Sequence, residues 1–88
     1  MVTVDITCDL MDEDETGHIW TFLREARDPR LIVPGAIVVA GDEDAYAVTE
    51  VIDTVDKPAG RIVCLRLLPG TLEDYVVALE RARSGRTP

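Results

Sequence analysis

Between residues 34 and 70, apolar and β-branched runs alternate with short breaks, and this rhythm restricts the fold more than any other feature of the chain. Pro34-Gly35, Gly41-Asp42-Glu43-Asp44, Lys57-Pro58-Ala59-Gly60 and Pro69-Gly70 are the breaks. Each is rich in residues that set or tolerate turn dihedrals. The intervening runs suit strands. Ala36-Ile37-Val38-Val39-Ala40 is apolar on both faces, as in a central strand. Residues 46–55 are rich in strand formers, with Glu50 and Asp53 pointing outward. Residues 61–68 place Ile62, Cys64 and Leu68 on one side and Val63, Leu65 and Leu67 on the other. Residues 37–68 therefore read as a three-stranded antiparallel meander.

The flanks add three elements. Val2, Val4, Ile6, Cys8 and Leu10 alternate with Thr3, Asp5, Thr7 and Asp9, the period of a strand with one wet face. Ile19, Trp20, Phe22, Leu23 and Ala26 then fall at helical spacings. Acids precede them, and Arg24 and Arg27 follow, both placements complementing a helix dipole. This predicts a helix over 16–27, ended by Asp28-Pro29. The rival is a second strand in a hairpin closed by the acidic turn, with Ile19, Thr21 and Leu23 on one face. Thr71-Leu72-Glu73-Asp74 resembles a capping box. Leu72, Tyr75, Val76, Leu79 and Ala82 follow as one apolar stripe, with Arg81 and Arg83 at the helix C-terminus.

The expected fold is α+β, a small antiparallel sheet of four strands in the order β-α-β-β-β-α, curling toward an open barrel. The rhythm of 34–70 resembles SH3-like barrels, an architectural likeness that implies no function. The turn Asp12-Glu13-Asp14-Glu15-Thr16-Gly17, with Ala26-Arg27-Asp28-Pro29 and Pro34-Gly35, resembles small proteins of high-GC bacteria and implies no activity. With 88 residues the chain is long enough for one domain. Residues 1–83 are expected to form it, with 84–88 as a frayed tail.

Charge bounds the partners. Nine basic and 17 acidic residues leave a net charge of −8. That charge repels phosphate and anionic lipid, so neither nucleic acid nor a membrane surface is expected as the main ligand. A basic protein surface is favoured. The N-terminus has no signal-peptide pattern, and no apolar run approaches the roughly 20 residues of a membrane span. A cytoplasmic location is the expectation, with Cys8 and Cys64 as reduced thiols. Their separation matches neither a redox pair nor a zinc motif.

Few motifs suggest chemistry. Asp12 to Thr16 matches the DxDxT pattern of haloacid-dehalogenase-like phosphatases, in which the first Asp is nucleophile and the second general acid. That resemblance would also require a doubly wound parallel sheet, a downstream Lys and an acidic metal pair, whereas Lys57 is the sole lysine and nothing completes the magnesium site. Extended to Gly17, the stretch resembles the start of a calcium loop. Asp12, Asp14 and Thr16 would make a weak cation site, but Leu23 stands where the bidentate Glu belongs. No cofactor is expected. His18 is the sole histidine and Ser84 the sole serine, so a hydrolytic triad is not expected. Trp20 suits either a packing anchor or an exposed contact.

Two functions follow from these residues. The first is a non-enzymatic interaction module, a regulator, inhibitor or accessory subunit. It would present a carboxylate-rich edge, Asp9, Asp12, Glu13, Asp14 and Glu15 with Asp42, Glu43 and Asp44, to a basic partner, aided by Trp20. The second is a small ligand-binding or catalytic domain acting as an oligomer. Its pocket would lie near Trp20, with His18, Asp14 and Tyr46 as polar groups. With sheet edges that need cover, a monomer or a homodimer is the expectation.

Overall fold

A computed structural model describes the backbone of residues 3–84 and the side chains of residues 3–80. The meander forms as the turn chemistry predicts. β3 (Ile37–Gly41), β4 (Tyr46–Lys57) and β5 (Gly60–Leu67) pair antiparallel in sequence order. Pro34-Gly35 makes a tight turn, with Ala36 N–H donating to the Val33 carbonyl (3.0 Å) and Gly35 at φ +89°. Asp42 closes the next turn. Its N–H donates to the Ala45 carbonyl, and its Oδ1 accepts from the N–H groups of Asp44 and Ala45, each at 2.8 Å. Pro58-Ala59 joins β4 to β5.

Among the described residues the sheet has five strands rather than four, in the order β1 (Ile6–Thr7), β3, β4, β5, β2 (His18–Phe22). The additional strand comes from the segment predicted to be helical. Residues 18–22 form β2 (His18–Phe22), which pairs antiparallel with β5 from His18↔Arg66 to Phe22↔Ile62. A 3-10 turn, Leu23–Glu25, follows directly. The misleading spacing has a physical origin. Ile19 enters the core from the strand, while Leu23 and Ala26 reach the same core from the turn and just beyond it. A strand followed by a tight turn thus reproduces the i, i+4, i+7 pattern of a helix.

From Val4 to Leu10 the alternation holds except at Asp5, with Val2 outside the described residues, but the pairing is short. β1 is only Ile6–Thr7 and runs parallel to β3, in register Ile6↔Ala40 and Thr7↔Gly41. The sheet is therefore mixed rather than wholly antiparallel. Ile6 is buried, and Cys8 and Leu10 pack against the core as the period of two requires. Asp5 breaks the pattern. Predicted on the wet face, it is only 4% exposed. Its N–H donates to the Val39 carbonyl, and its Oδ2 accepts from the Val39 N–H, both at 2.8 Å. Its own carbonyl accepts from Arg27 N–H at 2.8 Å. One residue thereby fastens β1 to β3 on one side and to the chain beyond β2 on the other.

These contacts curl the sheet into a half-barrel. Its two edge strands approach each other, with Thr21 Oγ1 donating to the Thr7 carbonyl (2.8 Å) and Ile6 bridging to Ala26. Ile6, Ile19, Val38, Val51, Val63 and Leu65 fill the interior. Val39 and Val48, paired across β3 and β4, are buried on the opposite face. There α1 (Val76–Ser84) packs against β3 with Leu79 buried. A 3-10 turn, Leu72–Tyr75, leads into α1. Its entry is held by the Asp74 carboxylate, which accepts from Thr71 N–H at 2.8 Å. Val76, assigned to the apolar stripe, is instead 42% exposed. Arg81, Ala82 and Arg83 lie outside the described side chains, and 85–88 outside the described residues. Among the described residues no helix is long and apolar enough to cross a membrane.

Candidate functional site

The parallel pairing of β1 with β3 sets the geometry of the site. Both strands end at the same level, with Cys8 N–H donating to the Gly41 carbonyl at 3.2 Å. The chain then leaves β1 through Asp9 and leaves β3 through Asp42. Two segments 33 positions apart thus release their acids side by side. Between them and the edge of β2 lies an open groove of about 930 Å³. Asp9 and Asp42 both line it, and Glu25, from the 3-10 turn after β2, adds a third carboxylate.

The groove has an apolar floor. Trp20 and Phe22 alternate with the inward Ile19 and Thr21, so they lie on the outer face of β2. They stand opposite Cys64 and Ile62 of β5. Trp20 is 41% exposed, so it is not the packing anchor that a small core suggested. Met11, at the start of the acidic loop, is 91% exposed and lines the same groove with Leu10. The guanidinium of Arg24 sits 4.3 Å from the centroid of the Phe22 ring, a cation–π contact on the groove's flank.

The other predicted acids have separate places and uses. Asp14 organises a hairpin. Its Oδ1 accepts from Thr16 N–H (2.8 Å), Thr16 Oγ1 (2.6 Å) and His18 N–H (3.0 Å), and its Oδ2 accepts from Trp20 Nε1 at 2.7 Å. Asp14 N–H in turn donates to the His18 carbonyl at 2.8 Å, and Gly17 takes φ +80°. Donors from Thr16, then Trp20 and His18, hold the Asp14 carboxyl well below the usual carboxylate range. Asp14 therefore serves as a structural anion that fixes the Trp20 indole. Asp12, Glu13 and Glu15 flank it, all exposed, and Glu13 bridges to Ile19. Glu43 and Asp44 are exposed at the tip of the turn after Asp42.

Both cysteine thiols are raised. Burial, then Asp9, pushes the Cys8 thiol up to about 11, with Asp42 adding to the effect and the Gly41 hydrogen bond opposing it. Burial, followed by Asp14 and Asp53, also raises Cys64. A raised thiol is a poor nucleophile. His18 is half-buried, with Nδ1 3.0 Å from Thr16 Oγ1. His18 and Asp14 do not line the groove, and Tyr46 lines a separate recess with residues 70–73. As for the cation site, both Asp14 oxygens already take hydrogen bonds. Among the described residues no three His, Cys, Asp or Glu side chains gather as metal ligands.

Of the residues that the sequence nominates for an acidic edge, Asp9, Asp42 and Trp20 line this groove, and Met11, Phe22, Ile62 and Glu25 line it without having been nominated. Met11 carried a usable signal, an apolar residue interrupting an acidic loop. Ile62 and Phe22 carried none, because their meeting depends on the β2–β5 pairing. Comparison with protein-family models, curated proteins and solved structures found no match.

Proposed function

We propose that this protein is a non-enzymatic interaction module that offers its carboxylate-rich edge to a basic surface of a partner protein. The convergence of Asp9 and Asp42 from two distant loops on one groove carries this reading. Three observations add to it. The chain holds a net charge of −8. Arg30, Arg61 and Arg66 are engaged with Asp28, Asp56 and Glu50, away from the groove lining. The thiols are pushed away from nucleophilic character. A concentrated negative field steers a basic partner and makes association sensitive to salt.

The test is capture of partners from the native cell lysate on immobilised protein, with elution in a rising salt gradient. A variant with Asp9→Asn, Asp12→Asn, Glu13→Gln, Glu15→Gln and Asp42→Asn removes charge from the groove and the loop, keeps a side-chain oxygen at each position, and spares Asp14, which builds the hairpin. Partners should leave this variant at lower salt than they leave the native protein, with its thermal stability little changed. Retention of the same partners at the same salt would rule the acidic edge out.

A further inference from the structure

We propose that the groove binds a cationic peptide segment of a partner through an apolar anchor side chain, so that recognition requires insertion as well as charge. This inference rests on the interaction-module reading and identifies what the module grips. The floor combines Met11, Trp20, Phe22 and Ile62, drawn from a loop and two paired strands. Met11 at 91% and Trp20 at 41% exposure keep apolar surface in water that an inserted side chain would cover. A volume of about 930 Å³ accommodates more than one side chain.

The rim decides the sign of the occupant. The lining holds Asp9, Glu25 and Asp42 and no Lys or Arg, so that even with Arg24 on its flank the rim is net negative. An anionic segment would bring like charges together over an apolar floor, where water screens them poorly. Arg or Lys flanking the anchor would instead meet a carboxylate on either side. The aromatic floor favours the same ions. Arg24 already lies on the Phe22 ring at 4.3 Å, and the neighbouring Trp20 ring can take a partner's guanidinium in the same way. Asp14 supports this by holding the indole through Nε1 at 2.7 Å, which reduces the ordering cost on binding.

Trp20 is the only tryptophan, so its emission reports the groove directly. The probes are a short Arg-rich peptide with a central Leu-Leu pair, the same peptide with Ser-Ser, and a neutral Gln-rich peptide with Leu-Leu. The first should shift Trp20 emission to the blue and bind about ten-fold more tightly than either control. Met11→Ser, at a fully exposed position, should weaken the first peptide severalfold and leave the Ser-Ser peptide unaffected. Equal binding of the two Arg-rich peptides, with Met11→Ser silent, overturns the anchor while leaving the acidic-edge reading intact. Equal binding of the neutral peptide overturns the charge requirement. Absence of binding by both Arg-rich peptides overturns the groove assignment. The salt elution of captured partners judges the edge separately.

Discussion

Replacing Asp5 with Ala removes the side-chain half of a reciprocal pair with Val39 and should weaken the whole half-barrel. The Val39 N–H donates to Asp5 Oδ2 at 2.8 Å, and Val39 is 2% exposed, so the orphaned donor cannot turn to water. An unsatisfied buried donor costs about 1–3 kcal/mol, and both partners of the lost bond are buried, which places the effect toward the upper end. A loss of about 2–3 kcal/mol follows, against about 5–10 kcal/mol of total stability for a chain of this length. The melting temperature should fall by about 10–20 °C. Asp5→Asn keeps an oxygen acceptor for the same N–H and should cost about 1 kcal/mol. The assay is urea unfolding followed by far-ultraviolet circular dichroism and Trp20 emission, comparing midpoints at constant slope. If Asp5→Ala lies within about 0.5 kcal/mol of the native protein, the pairing has no energetic role. If Asn costs as much as Ala, acceptance of the Val39 N–H is not its source.

Four further outcomes are expected. Gly41→Ala should cost about 3 kcal/mol or more in a urea midpoint, because its Cβ would lie 2.2 Å from the Ala45 carbonyl oxygen at φ +125°. Gly35→Ala, at φ +89° but in open space, should cost only about 1 kcal/mol. Asp14 has a folded-state value below its ordinary 3.8, so its stabilisation is complete above that pH and is lost progressively as pH falls below it. Urea midpoints at descending pH should therefore fall less for Asp14→Asn than for the native protein, and the Trp20 indole N–H resonance should shift in that variant at neutral pH. Cys8, raised from 9.0 to about 11, should be alkylated at mildly alkaline pH about a hundred-fold more slowly in native than in urea-unfolded protein, as read by mass spectrometry.

The candidate site was only partly legible in the sequence. Asp9 and Asp42 could be nominated from charge, since a carboxylate in a turn is exposed almost by definition of where turns lie. That Asp14 is spent on Thr16, His18 and Trp20 could not, because a composition count treats every acid as equally free. The role of Trp20 was open for a related reason. Its place on the outer face depends on whether residues 18–22 form helix or strand, and the spacing of Ile19, Leu23 and Ala26 satisfies both.

Local chemistry was enough to determine the α+β class, the β3–β4–β5 meander and its turns. Pro34-Gly35, the Asp42 turn and Pro58-Ala59 act over about four residues, and no distant partner is needed to close them. The tertiary structure alone decided the fifth strand, the parallel β1–β3 pairing, the burial of Asp5 and the shared groove of Asp9 and Asp42. Each joins residues far apart in the chain, and such a contact depends on which edges remain unpaired once the meander has formed, a property of the folded sheet that no local window contains.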